Sequence, residues 1–104
     1  MTRTIAIGNL SSFQKKIYSY VLKSHIAVAS YKLKKTTLGK HIDKVARAPL
    51  LKLGYNYSHG TGHGVGYFLN VHEGPQVFNA TATAVPIELG MITSIEPGIY
   101  RSGK

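Results

Sequence analysis

Two histidines in a glycine-rich stretch give the strongest chemical signal in the sequence. His59 and His63 are separated by Gly60, Thr61 and Gly62. A His-x-x-x-His pair binds zinc in helical metalloproteases, where a glutamate follows the first histidine. Glycine follows it here, so that helical motif is excluded. Two interpretations remain: strand or loop geometry aims both rings at a ligand, or the stretch is a turn with two hydrogen-bonded surface histidines.

A third imidazole and a carboxylate lie further along the chain. His72 stands beside Glu73, and Glu96 directly follows the largely apolar run Met91 to Ile95. We expect Glu96 near a buried strand end, where an unpaired carboxylate costs several kcal/mol. A metal cation would satisfy it. A helix cap or a salt bridge to a basic side chain would also do so, and the sequence leaves both explanations open.

Composition limits the classes of protein to which the chain can belong. Its 104 residues allow one domain at most, and the absence of cysteine excludes disulfides and thiolate metal sites. No apolar run approaches the roughly 20 residues of a membrane span, and the N-terminus lacks a secretory apolar stretch. We therefore predict a cytoplasmic protein with no membrane partner. The basic residues give a net charge of +9 but are not interleaved with aromatics, so we also predict no nucleic-acid partner.

The first part of the chain reads as a strand followed by a helix. Thr2 to Ile7 alternate and include β-branched residues, which predicts a short strand ending at Gly8. From Ser12 to about Ser30 the apolar residues recur with helical spacing. Their arc covers about half the circumference, so we expect this helix to pack on a broad partner such as a sheet.

A second helix and a glycine-rich region complete the predicted elements. The helix is expected to begin with Thr36 or Thr37 as its cap and to end near Pro49. Asp43 and Arg47 are spaced i,i+4, which favours an ion pair on its solvent face. Strand and loop are predicted from Tyr55 to Pro75, with turns at the glycines, and a last strand from Met91 to Ile95. The turn glycines are Gly60, Gly62, Gly64 and Gly66.

The histidine and glutamate segments, in this order and spacing, resemble the pita-bread metallopeptidases, most closely their Xaa-Pro aminopeptidase (aminopeptidase P) branch. The similarity is carried by Thr2 to Thr4, Ala46-Arg47, Pro49-Leu50, His59 to Gly66, Val71 to Pro75, and Gly90 to Gly98 with Tyr100. It implies an α+β fold, a partial pita-bread (creatinase/aminopeptidase-like) arrangement in which two helices pack on a curved antiparallel sheet. Residues 1–104 would form one partial catalytic domain.

The resemblance also implies roles for particular residues. His63 would be a metal ligand, and Glu96 both a metal ligand and a proton-handling catalytic carboxylate. His59 and His72 would be catalytic residues lining the substrate site. Two divalent ions, most often manganese, would hold the water that attacks the peptide bond before proline. Paired cations lower the pKa of such a water and stabilise the oxyanion formed in the attack.

The same resemblance predicts an incomplete site. Of the five family ligands, two aspartates belong just before the Thr2 to Thr4 segment and a last glutamate just beyond Lys104. We expect none of the remaining acids to replace them, because Asp43, Glu73 and Glu88 belong to a helix exterior, a loop and a turn. The expected protein is an internal fragment of a catalytic domain that is inactive alone, with a companion fragment or homo-oligomer as its expected partner. The alternative is a non-catalytic pita-bread module that binds peptides or protein partners.

Overall fold

The computed structural model describes residues 2–68 and 70–102. Their regular elements are two helices and a small antiparallel sheet, which agrees with the predicted α+β class. In chain order they are α1 (Ser12–Ala29), α2 (Gly39–Leu51), β1 (Gly62–His63) and β2 (Val77–Phe78). Neither helix is long and apolar enough to cross a membrane.

Helix α1 begins where the sequence predicted it. Ser11 caps it, because its Oγ accepts from the Gln14 N–H while the Gln14 side chain accepts from the Ser11 N–H. The expectation of a broad sheet partner is wrong for the described residues, since α1 packs mainly on α2. Val28 is buried, but Tyr18 and Ile26 remain 49% and 53% exposed. The wide apolar arc is therefore covered along only part of its width.

Helix α2 starts later than predicted, with Leu38 as its N-cap instead of Thr36 or Thr37. The Thr37 hydroxyl is used elsewhere, because it accepts from the Lys34 N–H at 2.8 Å. Gly39 starts the helix against β2, where a Cβ would lie 1.7 Å from the Val77 carbonyl oxygen. The helix continues past Pro49 to Leu51, so the predicted end was slightly early.

The predicted strand from Thr2 to Ile7 is wrong. The segment has no strand structure, and Ile5 and Ile7 are 81% and 98% exposed. An alternating pattern forms a strand only where a neighbouring strand supplies hydrogen bonds. Among residues 2–68 and 70–102, no strand pair or isolated bridge includes this segment.

The segment that contains β1 is hydrogen-bonded on one side to β2 and on the other side to the segment that leads to Glu96. Strands β1 and β2 pair antiparallel with Gly62 opposite Phe78. On the other side, the Ser94 N–H donates to the His63 carbonyl at 2.9 Å, and the Glu96 N–H to the Thr61 carbonyl at 2.6 Å. The predicted strand from Met91 to Ile95 is thus an extended segment with a single bridge, at Thr93, instead of a regular strand.

One small hydrophobic core joins both helices to the sheet. Its buried members come from α1, α2, β2 and the segment after β2: Val28, Ile42, Ala46, Phe78 and Ile87. Met91 and Ile95 pack against this cluster from the extended segment. The core therefore holds β2 and the glutamate-bearing segment against α2.

Candidate metal and substrate site

Glycines bring the segments that carry His63, His72 and Glu96 into close contact. A Cβ on Gly62 would lie 1.9 Å from the Ser94 carbonyl oxygen, and one on Gly64 would lie 2.0 Å from the Glu73 carbonyl oxygen. The predicted turn role is wrong for Gly62, which lies in β1, and for Gly64, which forms a bridge with Thr93. Their missing side chains instead let neighbouring backbones approach.

His63 and Glu96 meet at the centre of the candidate site. His63 Nε2 lies 2.9 Å from Glu96 Oε1, while His63 Nδ1 lies 3.0 Å from the Gly64 carbonyl oxygen. A carbonyl only accepts, so Nδ1 carries a proton and Nε2 is the atom presented to Glu96. Metal-binding histidines are commonly oriented in this way by a backbone carbonyl on the other ring nitrogen.

The environment of Glu96 differs from the expectation. Its side chain is 51% exposed, so the predicted buried carboxylate is wrong. Glu96 directly follows the extended segment, and its backbone N–H donates to the Thr61 carbonyl. Its observed partner is the His63 imidazole, which realises the salt-bridge alternative when the ring is protonated, without a lysine or arginine.

His59 and His72 line the same cleft as His63 and Glu96. The His72 ring packs against the His63 ring, with centroids 4.1 Å apart and ring planes tilted by 45°. His59 Nδ1 donates to the Gly60 carbonyl at 2.7 Å, so its Nε2 accepts from the Tyr100 hydroxyl at 2.7 Å. The cleft has a volume of about 360 Å³. That volume falls within the roughly 300–1,000 Å³ of typical small-ligand sites.

Tyr100 is a site residue to which the sequence gave no role. It is 72% exposed and lies against His59 in the cleft. The only sequence signal for a role of Tyr100 was its position two residues after Gly98, in the segment that contains Glu96. A tyrosine at this point supplies a hydroxyl donor to the imidazole and an aromatic wall to the cleft.

A buried polar network lies behind the cleft. Asp43 is only 2% exposed, so its predicted place on the helix exterior is wrong. Its Oδ2 accepts from Arg47 Nε at 2.8 Å, and its Oδ1 accepts from the Thr61 hydroxyl at 2.7 Å. The hydrogen bond to Asp43 raises the pKa of Arg47, and burial raises the pKa of Tyr57. The i,i+4 spacing predicted the ion pair but not which side of α2 would be covered.

The described residues fit only part of a two-metal site. Imidazole nitrogen and carboxylate oxygen suit divalent first-row metals. Yet across residues 2–68 and 70–102 no three His, Asp or Glu side chains form a group that could hold an ion. Asp43 is committed to Arg47, while Glu73 and Glu88 do not line the cleft. The donors in place are therefore His63 and Glu96.

Comparison with known proteins places the whole chain in one family. Residues 1–104 match metallopeptidase family M24. The chain is 48% identical to the probable Xaa-Pro aminopeptidase P of Arthroderma gypseum, over 98% of this chain and 16% of that protein. It is 47% identical to aminopeptidase P1 of Arabidopsis thaliana, over 99% of this chain and again 16% of the relative. The chain thus spans about one-sixth of the length of these relatives.

Solved structures agree with the sequence comparison. The chain superposes on the X-prolyl aminopeptidase of Caenorhabditis elegans with a TM-score of 0.86 at 38% sequence identity. The match covers 92% of this chain and 16% of that one, and the relative is described as a cytosolic enzyme with a di-nuclear active site. The prolidase of Pyrococcus furiosus gives 0.83 at 34% identity, covering 95% and 28%. These are pita-bread proteins, so the predicted fold class is confirmed. The chain belongs to metallopeptidase family M24, and its sequence matches the Xaa-Pro aminopeptidase P members of that family.

Proposed function

We propose that this chain carries the imidazole and carboxylate part of a site that removes an N-terminal residue preceding proline from peptides. The observation that carries the proposal is the 2.9 Å approach of His63 Nε2 to Glu96 Oε1, in a cleft also lined by His59 and His72. The relatives that match nearly the whole chain include Xaa-Pro aminopeptidases, which supports a peptide with proline second as the substrate.

Each cleft residue has a distinct part in this proposal. His63 Nε2 and the Glu96 carboxylate would hold metal, and two divalent ions, manganese by preference, would supply the Lewis acid and the activated water. Glu96 is half-exposed, so its second oxygen can also take up a proton from the cleft. His59 and His72 present imidazole edges to a bound peptide, and the Tyr100 hydroxyl leaves His59 no free acceptor nitrogen.

A complete two-metal site would need further carboxylates. Two divalent ions bring four positive charges into a chain whose net charge is already +9, and the described residues direct a single carboxylate at them. Such a concentration of charge is unfavourable without more anionic ligands. The remaining part of a longer polypeptide, a companion chain or a second copy would have to supply them. Hydrolysis by this chain alone is therefore not expected.

Peptide binding without hydrolysis is a second candidate function. It is favoured by the absence of a third donor beside His63 and Glu96 in the described residues, in a cleft that keeps two further imidazoles. Either function fits a cytoplasmic protein, which the cytosolic relative and the lack of cysteine support.

Manganese titration by calorimetry, with a parallel peptide assay, tests the proposal. We expect the purified chain to bind at most one Mn²⁺ weakly, to lose that binding in His63→Ala and Glu96→Gln, and to release no residue from an Xaa-Pro peptide. His25→Ala and Glu88→Gln, at exposed positions, are the matched controls. Binding unaffected by His63→Ala and Glu96→Gln would refute the metal assignment.

Two other outcomes separate the alternatives. Two tightly bound ions with release of the N-terminal residue would show that the chain is complete by itself. Peptide binding without Mn²⁺, unchanged by Glu96→Gln but lost in His59→Ala, would favour the non-catalytic function.

A further inference from the structure

Arg47 reaches from α2 to the backbone that carries His59. Its Nη1 donates to the Asn56 side-chain oxygen and to the Tyr57 carbonyl, each at 2.7 Å, and its Nη2 donates to the His59 carbonyl at 2.8 Å. The guanidinium also stacks on the Tyr57 ring, 4.1 Å from its centroid. One side chain thus contacts three of the four residues from Asn56 to His59.

Asp43 fixes the direction of that side chain. The Arg47 Nε donates to Asp43, and both side chains are largely withdrawn from solvent, at 16% and 3% exposure. The second Asp43 oxygen holds the Thr61 hydroxyl, and Thr61 is hydrogen-bonded through its backbone to Glu96. The ion pair therefore contacts the His59 backbone directly and is linked to the Glu96 backbone through Thr61.

We propose that Arg47 is a positioning residue for His59, which it holds against Tyr100 without itself entering the cleft. The contact between His59 Nε2 and the Tyr100 hydroxyl joins distant parts of the sequence, so it depends on where the 56–59 backbone lies relative to the glutamate segment. A planar guanidinium can donate to Asp43 and to several carbonyls at fixed angles, whereas the single nitrogen of lysine cannot. The importance of this role for peptide recognition rests on the proposed function, but the geometry does not.

Nuclear Overhauser contacts between the His59 and Tyr100 rings, whose centroids lie 5.4 Å apart, test the proposal without metal or substrate. We expect Arg47→Lys to keep the positive charge yet lose these contacts in the folded chain. Lys44→Arg, the reverse exchange at an exposed position of the same helix, should leave them at full intensity. A residue that served stability alone would lower the melting temperature and leave the contacts of the folded molecules intact.

A milder variant keeps the test decisive where Arg47→Lys does not fold. Asn56→Ala lies at an exposed position and removes one acceptor of the guanidinium, so we expect weakened but detectable ring contacts. Unchanged contacts in both folded variants, or in Asn56→Ala where Arg47→Lys does not fold, would overturn the proposal. Because Mn²⁺ binding by His63 and Glu96 is measured separately, failure of this inference is distinguishable from failure of the proposed function.

Discussion

Gly62 packs directly against the main chain of Ser94, with room for only a hydrogen atom between them. A Cβ at position 62 would lie 1.9 Å from the Ser94 carbonyl oxygen. This approach lets the flanking hydrogen bonds form, from Ser94 to His63 and from Glu96 to Thr61. The distance between the His63 imidazole and the Glu96 carboxylate therefore depends on a residue that has no side chain.

Substitution of Gly62 should open this contact. We expect Gly62→Ala to destabilise the chain by about 1–3 kcal/mol or more, because backbone atoms must move to accept the methyl group. Urea unfolding followed by circular dichroism measures the loss. Gly74→Ala is the matched control, since a Cβ there meets nothing within 4 Å. Equal midpoints for the two variants would contradict the close approach.

The buried ion pair should be costly to break. Asp43→Asn keeps the shape of the side chain but leaves the Arg47 guanidinium without its anionic partner, and removal of one partner from a buried pair costs about 3–5 kcal/mol. A chain with so small a core should be largely unfolded by that loss. Thermal unfolding of Asp43→Asn checks this, with exposed Glu88→Gln as the control. A melting temperature equal to that of the control would refute it.

Glu96 should matter for metal and not for stability. Its contact with His63 is half-exposed, and exposed ion pairs contribute about 0–1 kcal/mol. We therefore expect Glu96→Gln to unfold at nearly the same urea concentration as the parent chain, while the melting-temperature increase produced by added Mn²⁺ disappears. Addition of EDTA should reverse that increase in the parent chain. A large loss of stability in Glu96→Gln would mean that the carboxylate is structural.

Alkaline pH should destabilise the fold through Tyr57. Burial raises its pKa above the ordinary value of 10.0. Between the ordinary and the raised pKa, the folded chain keeps a proton that the unfolded chain has lost, so stability is full below pH 10.0 and falls as pH rises through the folded-state value. The slope from one group is at most about 1.4 kcal/mol per pH unit. The difference in unfolding free energy between the parent and Tyr57→Phe, measured from pH 8 to 11, should shrink above pH 10, and a constant difference would contradict the assignment.

Ser24 offers a stabilising substitution. Its side chain is fully buried, and its hydroxyl has no hydrogen-bond partner among the described residues. An unsatisfied buried polar group costs about 1–3 kcal/mol, and alanine favours a helix more than serine does. We expect Ser24→Ala to raise the urea midpoint, whereas Ser19→Ala, at an exposed position on the same helix, should change it little. A lower midpoint in Ser24→Ala would show that the hydroxyl is satisfied in solution.

The elements with strong local signals were predicted well. Helix α1 follows from its apolar spacing, and the exclusion of a helix at His59 and His63 follows from the glycines around them. The predicted strand from Thr2 to Ile7 was wrong because an alternating pattern does not show whether a neighbouring strand is present to pair with it. Asp43 was misplaced for a related reason: spacing along a helix shows which residues meet but not which face another segment covers.

By itself, the sequence determined the residue types of the candidate site, the family to which they belong and the shortage of carboxylates, because these depend on which side chains are present and in what order. Only the tertiary structure decided that Glu96 is half-exposed against His63, that Tyr100 holds His59, and that Asp43 and Arg47 lie buried behind the cleft. Those relationships join segments far apart in the chain. They depend on which backbones can approach each other, and packing settles that where local patterns cannot.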